Sequence, residues 1–190
     1  MSADTHDDRS AARLLAVQAL YQMDIARTPL EVIIREFGEH RMEAKLDDIE
    51  LPQADGEHFE MVLRGVVENQ TDIDRLVDGK LLENWTLARL DSTLRAILRC
   101  GVQELLHAPH IPPQVVVSQY ADIAHAFFEG AEGGMANALL DNVAKHPGSV
   151  IVYCSADAYR EMPTTLLESK GLVLKRSVSV AQNGAFNKIR

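Results

Sequence analysis

Cysteine and aromatic residues are scarce in this chain, and long apolar runs are missing. Its 190 residues include two cysteines, and Phe, Trp and Tyr together make up 5%. The cysteines, Cys100 and Cys154, form neither a CxxC pair nor a disulfide framework, which favours a reducing compartment. No apolar run approaches about 18 residues and no leader-like segment stands at the N-terminus, so the sequence predicts a cytoplasmic protein without a membrane span.

Positive charge is also in short supply. Asp and Glu outnumber Lys and Arg by 28 to 19, which gives a net charge of -9, and the acidic excess lies in residues 1–146. An acidic surface repels a nucleic-acid backbone at long range. RNA binding by this chain therefore requires a local basic patch and the help of a partner.

Motifs of catalysis and metal binding are missing as well. The sequence has no Gly-rich phosphate loop, no HExxH and no GxSxG, so we predict no catalytic residues, no cofactor and no enzyme activity. Two pairs, Glu104 with His107 and Asp122 with His125, have the i, i+3 spacing by which helical bundles hold two iron ions. We predict no metal there, because the stripe with Asp122 and His125 faces water and His107 falls where its helix ends.

Ala, Leu and Val predominate, and apolar residues make up 46% of the chain, which favours helices packed on helices. Apolar residues recur at steps of three and four over most of the chain. We predict an all-α protein with a three-helix bundle in residues 1–79, ending at the helix stop Gly79, and a second helical bundle in residues 80–146. Residues 147–190 carry β-branched runs without helical period and stay unassigned, with a disordered tail and a β-hairpin both open.

The first predicted helix, Arg9 to Ala26, carries the sharpest functional signal. Arg9 and Arg13 lie one turn apart near its start, where backbone N–H groups also point outward. Cations and amides that converge in this way suit a phosphate backbone, so the two arginines are candidate RNA contacts. On spacing alone, arginines that merely solvate the first turns are the more frequent alternative.

Four segments of the chain carry a family resemblance. They read AVQALYQMDI (16–25), LRAILRCGVQEL (94–105), IPPQVVVSQYADIAHAFF (111–128) and GMANALLD (134–141). In this order and spacing they resemble the bacterial NusB family of transcription antitermination factors, over roughly residues 9–146. The resemblance implies two three-helix bundles that bind boxA-type RNA together with the small-subunit ribosomal protein NusE. It further implies a place in antitermination complexes with RNA polymerase and other Nus factors on ribosomal RNA operons.

The resemblance also implies an RNA-binding surface. Arg9 and Arg13 match the family's arginine-rich helix start, and Tyr21 ends the AVQALY segment. Near the last helix, Met135 stands where family members often carry an aromatic residue. Asn137 matches the family's asparagine, which leaves open a hydrogen bond to a base edge or a role in capping the helix.

A docking face for the NusE-type partner is expected on the second bundle. Its candidate residues are Arg89, Arg95 and Gln103, which stand at polar positions of the predicted helices. Two other functions stay open beside antitermination. One is a protein-only adaptor, favoured by the acidic charge and the short arginine run. The other is an RNA-binding domain of the kind that precedes RNA cytosine methyltransferases, although residues 147–190 are too few to supply the catalytic domain.

Overall fold

The chain has two compact units, Met1–Pro147 and Gly148–Arg190, and the described residues of the first contain six α-helices. The computed structural model describes residues 4–40, 45–46, 49–50, 53–81, 85–146, 150–154 and 172–176. The helices are α1 (Asp4–Ala26), α2 (Leu30–His40), α3 (Gly56–Lys80), α4 (Ser92–His107), α5 (Pro113–Phe127) and α6 (Glu132–Lys145), with a 3₁₀ turn at Leu87–Arg89. None of the helices in the described ranges is both long and apolar enough to cross a bilayer.

Aspartate caps determine where two of the helices begin. Asp55 accepts a hydrogen bond from the backbone N–H of His58 at 2.9 Å, and Asp91 accepts one from that of Thr93 at 2.7 Å. These carboxylates satisfy amides that have no partner inside the helix. Helix α3 continues one residue past the predicted stop: Gly79 is buried within its last turn, and the helix ends at Lys80.

Helix α4 lies at the centre of the helical unit, since it contacts α1, α3, α5 and α6. Residues 96–104 are buried without interruption, so this helix is enclosed on all sides rather than amphipathic. One apolar core includes side chains from all six helices, and the rings of Phe37 and Phe59 stack within it at 5.6 Å. A division of this unit into two bundles at Gly79 stays a prediction.

Helix α1 ends in an unusual backbone conformation. Arg27, the first residue after it, has a φ of 54°. This left-handed conformation is common just after a helix, but glycine normally occupies it because a side chain is crowded there.

The described residues also include four short strands outside the helices. Antiparallel β1 (Lys45–Leu46) and β2 (Ile49–Glu50) follow α2. In the second unit, β3 (Val150–Cys154) and β4 (Leu172–Arg176) pair in parallel, with Val150 opposite Leu172. The hairpin alternative is wrong for this pair, because hairpin strands are antiparallel whereas parallel strands need a longer crossover. The remainder of the predicted tail lies outside the described residues.

Replacing Gly101 with alanine should destabilise the helical unit. The added methyl group would lie 2.8 Å from a Leu140 methyl carbon and 3.3 Å from the Tyr120 ring, in an interior that is already close-packed. We expect the free energy of unfolding to fall by about 1–3 kcal/mol in urea denaturation. Gly38→Ala is the matched control, because no atom lies within 4 Å of that position. A loss no larger than the control's would contradict the close approach of α4 and α6.

Candidate nucleic-acid interface

Arg13 is buried beneath the surface of the helical unit, with 2% of its side chain exposed. Its Nε donates to both carboxylate oxygens of Glu104, at 3.1 and 3.0 Å, and its Nη2 donates to Oε1 at 2.5 Å. A guanidinium bound in this way to a buried carboxylate has no access to a phosphate outside. The predicted RNA contact by Arg13 is therefore wrong, and the pair instead joins α1 to α4.

Glu104 is the centre of a buried polar cluster that draws on four helices. Its side chain has no exposed surface, and its Oε2 accepts a hydrogen bond from the Tyr120 hydroxyl at 3.0 Å. His58 Nε2 lies 3.4 Å from the same oxygen. Burial raises the pKa of Glu104, but His58 and Arg13 beside it lower the pKa more strongly, to about 2. The carboxylate is therefore charged at neutral pH and stabilises the arginine inside the protein.

Tyr120 remains a hydrogen-bond donor in this cluster. Burial and the charge of Glu104 raise the pKa of Tyr120 well above its ordinary value. Because the phenol keeps its proton, it can donate to the carboxylate across the whole physiological pH range.

Arg9 stays within reach of solvent. Its Nε lies 3.4 Å from Asp55 Oδ2, and the two side chains are 40% and 28% exposed. Exposed ion pairs of this kind contribute little to stability. Arg9 can therefore exchange Asp55 for a phosphate, and it stays a candidate RNA contact.

A groove of about 550 Å³ opens beside the second half of α1. Its lining comes from α1, α4 and α5 and consists of Val17, Gln18, Tyr21, Gln22, Ile25, Ala26, Thr93 and Phe127. Three of its large apolar side chains are exposed, namely Tyr21 at 40%, Ile25 at 61% and Phe127 at 46%. Aromatic rings stack on unpaired bases and amides bond to base edges, so this lining suits single-stranded nucleic acid. We call it the Tyr21 groove.

Phe127 is a candidate that the sequence reasoning missed. The helical period groups it with the buried Tyr120 and the half-buried Ile123, which predicts a core position. The structure buries Phe128 more deeply than Phe127, and Phe128 packs against the core. A signal was available, because two adjacent aromatic residues at a helix end point in different directions and only one of them can face the core.

The candidates on α6 lie apart from the Tyr21 groove. Met135 is half-buried and packs against the core. Asn137 is exposed and lies within α6 rather than at its start, so the capping alternative is wrong. It lines a separate groove of about 250 Å³ with Ser118 and Lys145, among others. The structure therefore does not bring Met135 or Asn137 into the groove that holds Tyr21.

Two of the three candidate docking residues are engaged inside the protein. Gln103 is 3% exposed and its side-chain oxygen lies 3.4 Å from the Asn69 amide nitrogen, so its predicted role at a partner surface is wrong. Arg95 is 20% exposed and pairs with Asp24 on α1 at 3.2 Å. The reason is the central position of α4, which leaves it no solvent-facing polar side. Arg89 is exposed at the end of the 3₁₀ turn and stays a candidate.

The two pairs with di-iron spacing differ in exposure. Asp122 and His125 are exposed, as their stripe predicts, whereas Glu104 is buried against Arg13. Across the described ranges, no group of three or more His, Cys, Asp or Glu side chains is arranged to hold a metal ion.

Comparisons with known proteins cover the helical unit. Residues 10–145 match the family model of the NusB family. Transcription antitermination protein NusB of Caulobacter vibrioides is 45% identical over 145 residues, which are 76% of this chain and 97% of that relative. A solved structure of T. maritima NusB has a TM-score of 0.60 at 32% identity and covers 72% of this chain and 90% of that one.

A second solved structure, of antitermination factors NusB and NusE in complex with dsRNA, shares the fold. It has a TM-score of 0.60 at 23% identity and covers 72% of this chain and 96% of that one. The matches confirm the all-α fold predicted for the helical unit.

Removing Arg13 should strongly destabilise the protein. Arg13→Ala leaves Glu104 charged in the interior without its main counterion, and we expect the free energy of unfolding to fall by about 3–5 kcal/mol in urea denaturation. Arg9→Ala is the matched control, because the pair with Asp55 is exposed, and should cost less than about 1 kcal/mol. Similar small losses in both variants would contradict the buried position of Arg13.

Stability should depend on pH through Glu104. The folded-state pKa of about 2 lies below the ordinary value of 4.5, so the contribution of this carboxylate is fully present above pH 4.5 and is lost as the pH falls through about 2. We expect the free energy of unfolding to decrease between these values, with a shallower decrease in Glu104→Gln. Urea denaturation at pH 2–6 measures this free energy. Asp72→Asn is the control, because Asp72 pairs with Arg75 at the surface. Parallel profiles for wild type and Glu104→Gln would contradict the assignment.

Proposed function

This chain belongs to the NusB family, and we propose that it acts as a transcription antitermination factor that binds boxA-type single-stranded RNA together with the small-subunit ribosomal protein NusE. The match with the antitermination protein of Caulobacter vibrioides carries the proposal, because it extends over 97% of that relative. The solved complex of NusB and NusE with dsRNA supports NusE and RNA as the two classes of ligand, while the single-stranded boxA type rests on the family resemblance. The family is not enzymatic, and the described residues carry the chemistry of a binding protein.

We propose the Tyr21 groove as the RNA-binding surface. Tyr21 and Phe127 offer exposed rings for base stacking, and Gln18 offers an amide in the same lining, whereas the Gln22 amide donates to Glu36 at 3.0 Å. Arg9 lies nearer the start of α1 and supplies a cation whose present partner is exposed. Stacking tolerates many bases, whereas amide hydrogen bonds select among them, so the groove combines affinity with sequence selectivity.

A partner compensates for the small number of cations. Each phosphate contact adds less than about one unit of salt dependence for single-stranded nucleic acid, so the acidic chain alone binds RNA weakly. NusE bound beside the groove raises the effective concentration of RNA at this surface. We propose Arg89 as part of the docking face, and an assembly that includes RNA polymerase in the cytoplasm.

A protein-only adaptor is the second candidate function. The observation that favours it is the burial of Arg13, which leaves fewer exposed cations on α1 than the sequence predicts. The same NusE-type partner would then bind without any contribution from RNA.

Removing either exposed ring of the Tyr21 groove should weaken RNA binding. We expect Tyr21→Ala and Phe127→Ala each to raise the Kd of a boxA-containing oligonucleotide about 5- to 150-fold, since stacking contributes about 1–3 kcal/mol per base. The measurement is fluorescence anisotropy with the NusE-type protein present. Trp85→Ala is the matched control, because Trp85 is 46% exposed and lies outside the lining of the groove.

The same titration separates the two functions. If the wild-type chain binds the NusE-type protein and RNA does not tighten the complex at any salt concentration, the adaptor is correct. If RNA binds and neither groove variant loses more affinity than the Trp85 variant, the RNA surface lies elsewhere.

A further inference from the structure

Arg27 combines a basic side chain with a backbone conformation that favours glycine. Its φ of 54° is the only positive value among the described residues other than glycine. Side chains in this conformation are strained, so glycine would fit the end of α1 better. An arginine in this strained position indicates a function for its side chain.

The position of Arg27 is at one end of the Tyr21 groove. Ile25 and Ala26, the two residues before it, both line that groove. Consecutive Cα atoms are about 3.8 Å apart, which puts the backbone of Arg27 beside the lining. A long basic side chain at this point is within reach of a strand that leaves the groove.

The side chain of Arg27 is exposed. Among the residues that the structure describes, no acidic group pairs with it, whereas Arg9, Arg13 and Arg95 each bind a carboxylate. An unpaired exposed guanidinium binds a phosphate without first losing an ion pair. Of the two arginines on α1 and the one that follows it, Arg27 is the best prepared for a new anion.

We infer that Arg27 contacts a backbone phosphate of the RNA strand whose bases occupy the Tyr21 groove, a role that rests on the proposed function. The bases stack on the rings, and the phosphate that follows them meets the guanidinium at the end of α1. Arg27 thereby supplies the second cation that the buried Arg13 does not, and it explains why glycine is absent from the helix end.

Arg27→Gly tests this inference while keeping the backbone conformation. We measure the Kd of the boxA oligonucleotide with the NusE-type protein present, between about 50 and 200 mM salt. Loss of one phosphate contact should reduce the slope of log K against log salt by about 0.7. The affinity ratio of wild type to variant should then shrink about threefold across this range, while the unfolding temperature stays equal or rises.

Two further variants sharpen the test. Arg27→Lys retains the charge and should retain the wild-type slope. Arg35→Gln removes an exposed arginine of α2 that has no acidic partner among the described residues and should leave affinity and slope unchanged. If the wild type binds RNA and Arg27→Gly has the same slope of log K against log salt, the inferred role of Arg27 is wrong and the proposed function is unaffected. A wild-type chain that binds no RNA at any of these salt concentrations would overturn the proposed function, and this inference with it.

Discussion

A carboxylate without access to water lies on the central helix of this protein, and the arrangement of the other helices depends on keeping it charged. Glu104 needs the guanidinium of Arg13 and the hydroxyl of Tyr120 to offset its lost hydration. Because Arg13 must face inward to reach it, the rotation of α1 about its axis is determined. That rotation in turn decides which side chains of α1 line the surface groove.

A second set of ion pairs supports the same arrangement farther along α1. Asp24 accepts from Arg99 at 3.0 Å, and Arg99 also binds Asp74 on α3 at 2.7 Å. Since Tyr21 precedes Asp24 by less than one turn, these pairs hold the groove-lining half of α1 against α4. Arg13, Arg95 and Arg99 thus join helices to one another, and this leaves fewer of the chain's few cations available to RNA.

The proposed interface is consistent with the small number of cations that remain available at the surface. Exposed rings supply contacts that need no cation, and Arg9 and Arg27 remain at the surface near opposite ends of α1. A site of this kind binds weakly by itself and gains strength when a partner presents the same RNA. The acidic surface, which at first argues against nucleic acid, is therefore compatible with a shared interface.

Helix positions and the family resemblance could be predicted from the sequence, because the helical period depends on residues a few places apart. The partners of Arg13, Arg95 and Gln103 could not, since Arg13 and Glu104 are separated by 91 residues and meet only when α1 packs on α4. The exposure of Phe127 and the parallel pairing of β3 with β4 were likewise decided by packing. Residues close together in the sequence determined where the helices of this protein form. The packing of other helices around α4 determined which charged side chains are held in buried ion pairs.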